Sequence, residues 1–142
     1  MEAMEGHTIL VVEDEPSVAR GLEYGLKAEG FTVLLTGSGR RAIEMVRGGA
    51  PHLVLLDIRL PDMSGVDVLA RIRSLEETRQ IPIVIVTASA MPHEKAQVQE
   101  AGVAGYLTKP IDVPLFLETV DAILAGRNMA GKEAAMVNDD RA

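Results

Sequence analysis

A chain of 142 residues in which 47% are hydrophobic and 25% charged is long enough for one domain with a full apolar core, which excludes disorder throughout. The balance of 21 acids against 14 bases leaves a net charge of -7, and there is no Lys/Arg cluster with interleaved aromatics, so direct nucleic-acid binding is not expected. The start "MEAMEGH" carries acids where a signal peptide needs bases, no apolar run reaches the roughly 18 residues of a membrane span, and cysteine is absent; a cytoplasmic protein without membrane association or disulfides is expected.

In chain order, the first β-rich apolar run is "TILVV" (8–12), ending in Glu13, Asp14 and Glu15. A helical pattern with Val18, Leu22, Gly25 and Leu26 on one face follows, opened by Pro16 and stopped near Gly30. The second run, "FTVLL" (31–35), leads into a helix that should stop at Gly48. The third, "HLVLL" (52–56), ends on Asp57, a carboxylate that is costly to bury without a partner. A helix starting after Ser64 precedes the fourth run, "IPIVIV" (81–86), which ends at Thr87. A helix from about Pro92 to Gly102 precedes the fifth, "AGYLT" (104–108), followed by Lys109 and Pro110. Asp112 starts a last helix bearing Val113, Phe116, Leu117, Val120 and Leu124. Beyond Gly126 the apolar periodicity is lost, and 126–142 reads as a flexible C-terminal tail, leaving 7–125 as the domain. If nothing follows the tail, output must be a protein–protein contact.

Strand runs apolar on both faces, alternating with helices, predict an α/β doubly wound parallel sheet of five strands. In such sheets ligands bind beyond the carboxyl ends of the strands. Reading off those ends gives Glu13, Asp14, Asp57, Thr87 and Lys109 on one rim. Singly, each has an ordinary reading: a helix cap, a β-branched strand residue, a solvated lysine. Jointly they do not. Three acids together repel unless a cation neutralises them, and all-oxygen ligation favours Mg²⁺ with waters and phosphate oxygens in the remaining positions. A carboxylate beside Mg²⁺ and an ammonium group is arranged to attack phosphorus, giving an aspartyl phosphate.

The motifs "ILVVEDE", "LVLLDIRLPDMSG", "IVIVTASA" and "GYLTKP", in this order and spacing, resemble the receiver domain of two-component response regulators over about residues 7–125. The resemblance implies the flavodoxin-like strand order 2-1-3-4-5 and a stand-alone, CheY-like signalling domain that is not an enzyme beyond its own phosphotransfer and dephosphorylation. It implies that Asp57 accepts a phosphoryl group from a histidine kinase or histidine phosphotransfer protein, with Mg²⁺ held by Asp14, Asp57, the Arg59 main-chain carbonyl and, through water, Glu13. It further implies that Lys109 contacts the phosphoryl group, that Thr87 moves to hydrogen-bond it and that Tyr106 swings inward behind it. The face of the fourth helix, fifth strand and fifth helix would then change for an unknown downstream protein. A cis peptide before Pro110 is implied as well, and Arg59 and Ser89 fall where the family tunes phosphoryl lifetime. The acidic pair is Glu-Asp here, where Asp-Asp is commoner in the family.

Two rivals can be drawn from the same residues. "TGSGRRA" (36–42) places Gly37, Gly39 and Ala42 as G-x-G-x-x-A after a strand, with Asp57 20 residues beyond Gly37, the pattern of a dinucleotide site. That reading leaves Glu13, Asp14, Thr87 and Lys109 idle. A small aspartyl-phosphate hydrolase would want a second carboxylate two residues after Asp57, where Arg59 stands. His7, His52 and His93 read as scattered surface or loop residues, too far apart in sequence for a zinc site.

Overall fold

The computed structural model describes residues 6–49, 51–88 and 91–126. Ser89 and the expected tail beyond Gly126 lie outside these residues. Five strands, β1 (Thr8–Val12), β2 (Thr32–Thr36), β3 (Leu53–Leu56), β4 (Ile83–Thr87) and β5 (Gly105–Thr108), alternate with five helices, α1 (Pro16–Ala28), α2 (Gly39–Arg47), α3 (Gly65–Ser74), α4 (Pro92–Ala101) and α5 (Val113–Leu124). The sheet runs β2-β1-β3-β4-β5. All four pairings are parallel, with Val12 beside Leu56 and Thr87 beside Thr108.

The double-sided apolar character of the strands is used on both faces. Leu10, Val12, Val54, Leu56, Ile83 and Ile85 pack with Ile43 and Val46 of α2, Leu69 and Ile72 of α3, and Val98 of α4. Ile9, Val11, Leu53, Leu55, Val84 and Val86 pack with Leu22 and Leu26 of α1 and with Phe116, Val120 and Ile123 of α5. Each such side chain, once fully buried, contributes about 1.5–3 kcal/mol, so two layers of this size fix the sheet as a rigid base for whatever its ends carry.

Helix starts follow the local chemistry. Pro occupies the first turn of α1, α4 and α5, where no amide partner is lost. Ser38, Ser64 and Asp112 cap α2, α3 and α5 by accepting from the N–H groups of Arg41, Val66 and Leu115. At the other ends, Gly48 and Gly102 cap α2 and α4 as expected, Gly30 lies two residues past the end of α1 with positive φ, and the left-handed residue after α2 is Gly49 (φ 81°).

Strand starts shift for readable reasons. Phe31 sends its N–H to the Leu26 carbonyl (3.2 Å), closing α1, so pairing in β2 begins at Thr32. Pro82 has no N–H to give, and β4 begins after it. The peptide between Lys109 and Pro110 is cis.

The histidines are not all scattered. His52 Nδ1 accepts the Thr8 N–H at 2.9 Å, and its ring meets that of His7 edge-on with centroids 4.7 Å apart. The pair staples the amino ends of β1 and β3, a contact between residues 44 positions apart that the sequence does not show.

Candidate functional site

Main-chain pairing continues one residue past the strands and thereby fixes the polar residues on the rim. Glu13 N–H bonds the Thr36 carbonyl (2.9 Å), Asp57 N–H the Val12 carbonyl (3.1 Å) and Lys109 N–H the Thr87 carbonyl (2.9 Å). Each side chain is aimed by a strand anchored in the core, which is how a precise site is held on a rigid scaffold.

The Lys109 ammonium lies between two carboxylates, 2.9 Å from Asp57 Oδ2 and 2.8 Å from Glu13 Oε1, while Glu15 Oε1 stands off at 4.0 Å. Asp57 Oδ1 accepts the Arg59 N–H at 3.0 Å, and Glu13 Oε2 accepts the Glu15 N–H at 3.1 Å. Carboxylate oxygens of Glu13, Asp14 and Asp57 lie within 4.8 Å of one another; Glu13 and Asp57 are buried and Asp14 is exposed at the mouth. Among the described residues this is the one cluster of three or more acids, histidines or cysteines with metal-ligand spacing.

The electrostatics are unbalanced. Three carboxylates face one ammonium. Burial pushes the Glu13 carboxyl above its ordinary range, against the opposing Lys109 contact and the Glu15 N–H, and the Asp57 charge pushes it further. Burial works against the Lys109 charge, yet its contacts with the Glu13 and Asp57 carboxylates outweigh it and leave the lysine above its ordinary value. Glu13 Oε1 is buried and has no hydrogen-bond partner: its 2.8 Å approach to Lys109 is a charge contact lacking hydrogen-bond geometry. An orphaned oxygen in a cluster of excess negative charge fits a hard divalent cation, which takes oxygen donors.

The structure thus brings Glu13, Asp14, Asp57 and Lys109 together, with Thr87 buried at the adjoining end of β4. Tyr106, half-buried on β5, pairs in register with Ile85, and Lys95 of α4 sits 5.9 Å above its ring. Burial, then the Glu94 charge, raises the Tyr106 phenol.

Three polar residues escaped the sequence reading. Asp62 accepts from Ser38 Oγ (2.8 Å) and from the N–H groups of Gly39 (2.8 Å) and Arg40 (3.1 Å), so the loop after β3 caps α2. Glu94 accepts from the two terminal guanidinium nitrogens of Arg59, at 2.7 and 2.9 Å, and from the Met91 N–H at 2.8 Å. Arg73 donates to the carbonyls of Gly102, Arg79 and Ile81, tying α3 to the chain before β4 and after α4. None of the three carried a local signal: Glu94 follows Met91 by three residues, but a methionine at the N-cap lacks the side-chain oxygen that marks a capping box.

The dinucleotide pattern dissolves in the same geometry. A Cβ at Gly37 would stand 3.1 Å from the Asp14 Cα, and one at Gly39 2.6 Å from the Met63 side chain, so these glycines serve close packing. The N-terminus of α2, where a pyrophosphate would sit, is filled by the Asp62 carboxylate. Asp57 faces Lys109.

A family model described as the response regulator receiver domain matches residues 9–121. The chain belongs to that family. Among curated receivers, the polar-differentiation response regulator DivK of Brucella ovis is 35% identical over 117 residues, covering 82% of this chain and 95% of its own length. A CheY-like response regulator receiver domain protein from Methanospirillum hungatei superposes with a TM-score of 0.79 at 25% identity, over 84% of this chain and 94% of that one. The receiver domain of a signal transduction histidine kinase from Syntrophus aciditrophicus gives 0.78 at 26% identity, over 85% and 92%. The chain is therefore a receiver, a signalling domain with the CheY-like fold. Neither the dinucleotide-binding nor the hydrolase alternative is favoured. Receivers take phosphoryl groups from histidine kinases or phosphotransfer proteins and bind Mg²⁺ at an acidic pocket. No helix among the described residues is long and apolar enough to cross a membrane.

Proposed function

We propose that Asp57 is the phosphoacceptor of this receiver, that Glu13, Asp14, Asp57 and the Arg59 main-chain carbonyl hold Mg²⁺, that Thr87 and Lys109 contact the phosphoryl group, and that Thr87 and Tyr106 carry the switch. The observation supporting this reading best is the position of Lys109, 2.9 Å from Asp57 Oδ2 within a three-carboxylate cluster. A bound Mg²⁺ supplies charge for the phosphoryl oxygens and removes the repulsion among the three acids. The residues of the chain do the rest. An Asp57 oxygen forms the bond to phosphorus as the bond from phosphorus to the donor's imidazole nitrogen breaks, and that nitrogen keeps the electron pair. Lys109 moves its charge from the Asp57 carboxylate to the equatorial oxygens in place.

The phosphoryl group adds about −1.5 to −2 charge and strong acceptors, and it favours the rotamer that places the Thr87 hydroxyl against it. Tyr106 fills the space behind Thr87, changing the face of α4, β5 and α5, where a downstream protein binds. Such a switch is a population shift driven by differential contacts in two states. The donor is a histidine kinase or phosphotransfer protein, the domain spans residues 7–125, and the setting is cytoplasmic.

Acetyl phosphate with Mg²⁺ tests the reading. Intact-mass measurement should show one adduct of about 80 Da, the mass of one phosphoryl group, absent in Asp57→Asn and absent when Mg²⁺ is chelated. An adduct that persists in Asp57→Asn, or rapid turnover of unrelated phosphate esters, would overturn it.

A further inference from the structure

Arg59 is tied to the site and directed away from it at once. Its N–H is held 3.0 Å from Asp57 Oδ1, which fixes the residue on the lip of the pocket, while its guanidinium makes a two-pronged contact to Glu94. The Arg59 side chain is half exposed and that of Glu94 only 12% exposed. Glu94 is itself oriented, because Oε1 also accepts the Met91 N–H and anchors the first turn of α4. The hydrogen bonds from Arg59 and then Met91 hold the Glu94 carboxyl below its ordinary range, so it is a fixed anion.

A guanidinium keeps its charge, and its planar fork suits phosphate as well as carboxylate. A doubly charged group on Asp57, two residues away along the same loop, is a competitor for the fork that Glu94 occupies. We propose that the Arg59 side chain is a second cationic ligand for the group carried by Asp57, and that Glu94 is the positioning residue that limits its availability. The inference rests on Asp57 being the phosphoacceptor.

The exchange has a consequence on the other side of Glu94. Lys95, the next residue, lies over the Tyr106 ring, and the Glu94 charge is felt at the Tyr106 phenol. When Arg59 turns to the phosphoryl group, Glu94 keeps only the Met91 N–H, and a nearly buried carboxylate is left with less compensation at the start of α4. That turn becomes easier to displace. Asp57 and the Tyr106 face are thereby linked along the surface, by a route separate from Thr87.

The probe is beryllofluoride with Mg²⁺, titrated into the whole chain and followed by ¹⁹F NMR and by backbone amide shifts. Glu94→Gln keeps an acceptor for the Met91 N–H but loses the charge, and should bind beryllofluoride about fivefold more tightly, the scale set by a half-exposed ion pair. Arg59→Gln should bind more weakly by a similar factor. In Arg59→Gln/Glu94→Gln the gain from Glu94→Gln should vanish, and wild-type amides of Glu94 and Lys95 should move on binding. Unchanged affinity in Glu94→Gln, or the same gain in the Arg59→Gln background, overturns the proposal. If Glu94→Gln does not fold, Arg59→Gln alone decides: unchanged affinity rejects a phosphoryl contact. A wild-type chain that takes up neither beryllofluoride nor a phosphoryl group from acetyl phosphate fails the receiver reading of Asp57 instead.

Discussion

Lys109 Nζ stands 2.9 Å from Asp57 Oδ2 although 52 positions separate the two residues in the chain. The ammonium is therefore a cation already resident among the carboxylates, and a divalent ion entering the cluster must compete with it. Coulomb's law gives about 4 kcal/mol for unit charges at 4 Å with an effective dielectric of 20, and partial solvation reduces that. Lys109→Met keeps most of the apolar stem and removes the charge. Mg²⁺ affinity should rise on the order of tenfold, equivalent to about 1.4 kcal/mol, while uptake of beryllofluoride falls. Calorimetric titration of both ligands checks this, and movement in the same direction for both would count against the assigned role of Lys109.

Asp62 gives a pH dependence whose sign is fixed. Hydrogen bonds from Gly39, then Arg40 and Ser38, lower its carboxyl from 3.8 to about 2. A group depressed on folding contributes stability that is present above its unfolded value and lost as pH falls through its folded one. Asp62→Asn should melt at a lower temperature than wild type near pH 7, with the gap closing between about pH 4 and pH 2, the span between the unfolded and folded values. Paired melting curves across that range measure it; a constant gap would mean that the charge does not matter.

Two glycines make opposite predictions. A Cβ on Gly65 would collide with the Asp57 carbonyl oxygen and come within 2.7 Å of the Ile58 Cα, and backbone cannot yield as a side chain does. Gly65→Ala should cost about 1–3 kcal/mol, the usual range for overpacking, and disturb the loop that carries Asp57. Gly21, inside α1, has nothing within 4 Å of an added Cβ. Gly21→Ala should stabilise by up to about 1 kcal/mol. Denaturant unfolding of the two variants separates a glycine required by contact from one that only costs helix propensity.

The sequence disclosed the residues whose role is tied to strand ends, because alternation of strands and helices brings those ends to one rim wherever a parallel sheet forms. Glu13, Asp14, Asp57 and Lys109 were legible for that reason. Asp62, Glu94 and the His7–His52 pair were not, since each contact joins a loop or helix turn to an element whose angle of approach is set by packing. Arg59 shows the boundary well. Its main-chain place two residues after Asp57 was readable, but the direction of its side chain depends on where α4 begins, and that start lies 35 positions from Arg59 in the contact it makes. Gly37 and Gly39 show the converse, a local pattern whose physical cause is close packing against Asp14 and Met63.

The switch assigned to Tyr106 can be read optically, because the chain has no tryptophan and only two tyrosines. Tyr106 is half-buried and packed on the core layer of β4 and α4, with Lys95 over its ring and the Glu94 charge acting on its phenol. Tyr106→Trp therefore places a lone indole at the boundary between core and α4 with a modest change in shape. If Thr87 leaves space when it turns to the phosphoryl group, the ring moves from half-buried to buried, and emission should shift to shorter wavelength on adding Mg²⁺ and beryllofluoride, with no change for Mg²⁺ alone. The Thr87→Ala version separates cause from coincidence. It lacks the hydroxyl that follows the phosphoryl group, and it leaves the space open from the outset, so the shift should be small or absent although beryllofluoride still binds. A full shift in Tyr106→Trp/Thr87→Ala would detach Tyr106 from Thr87 and leave the Glu94 side of the ring as the route by which Asp57 reaches it.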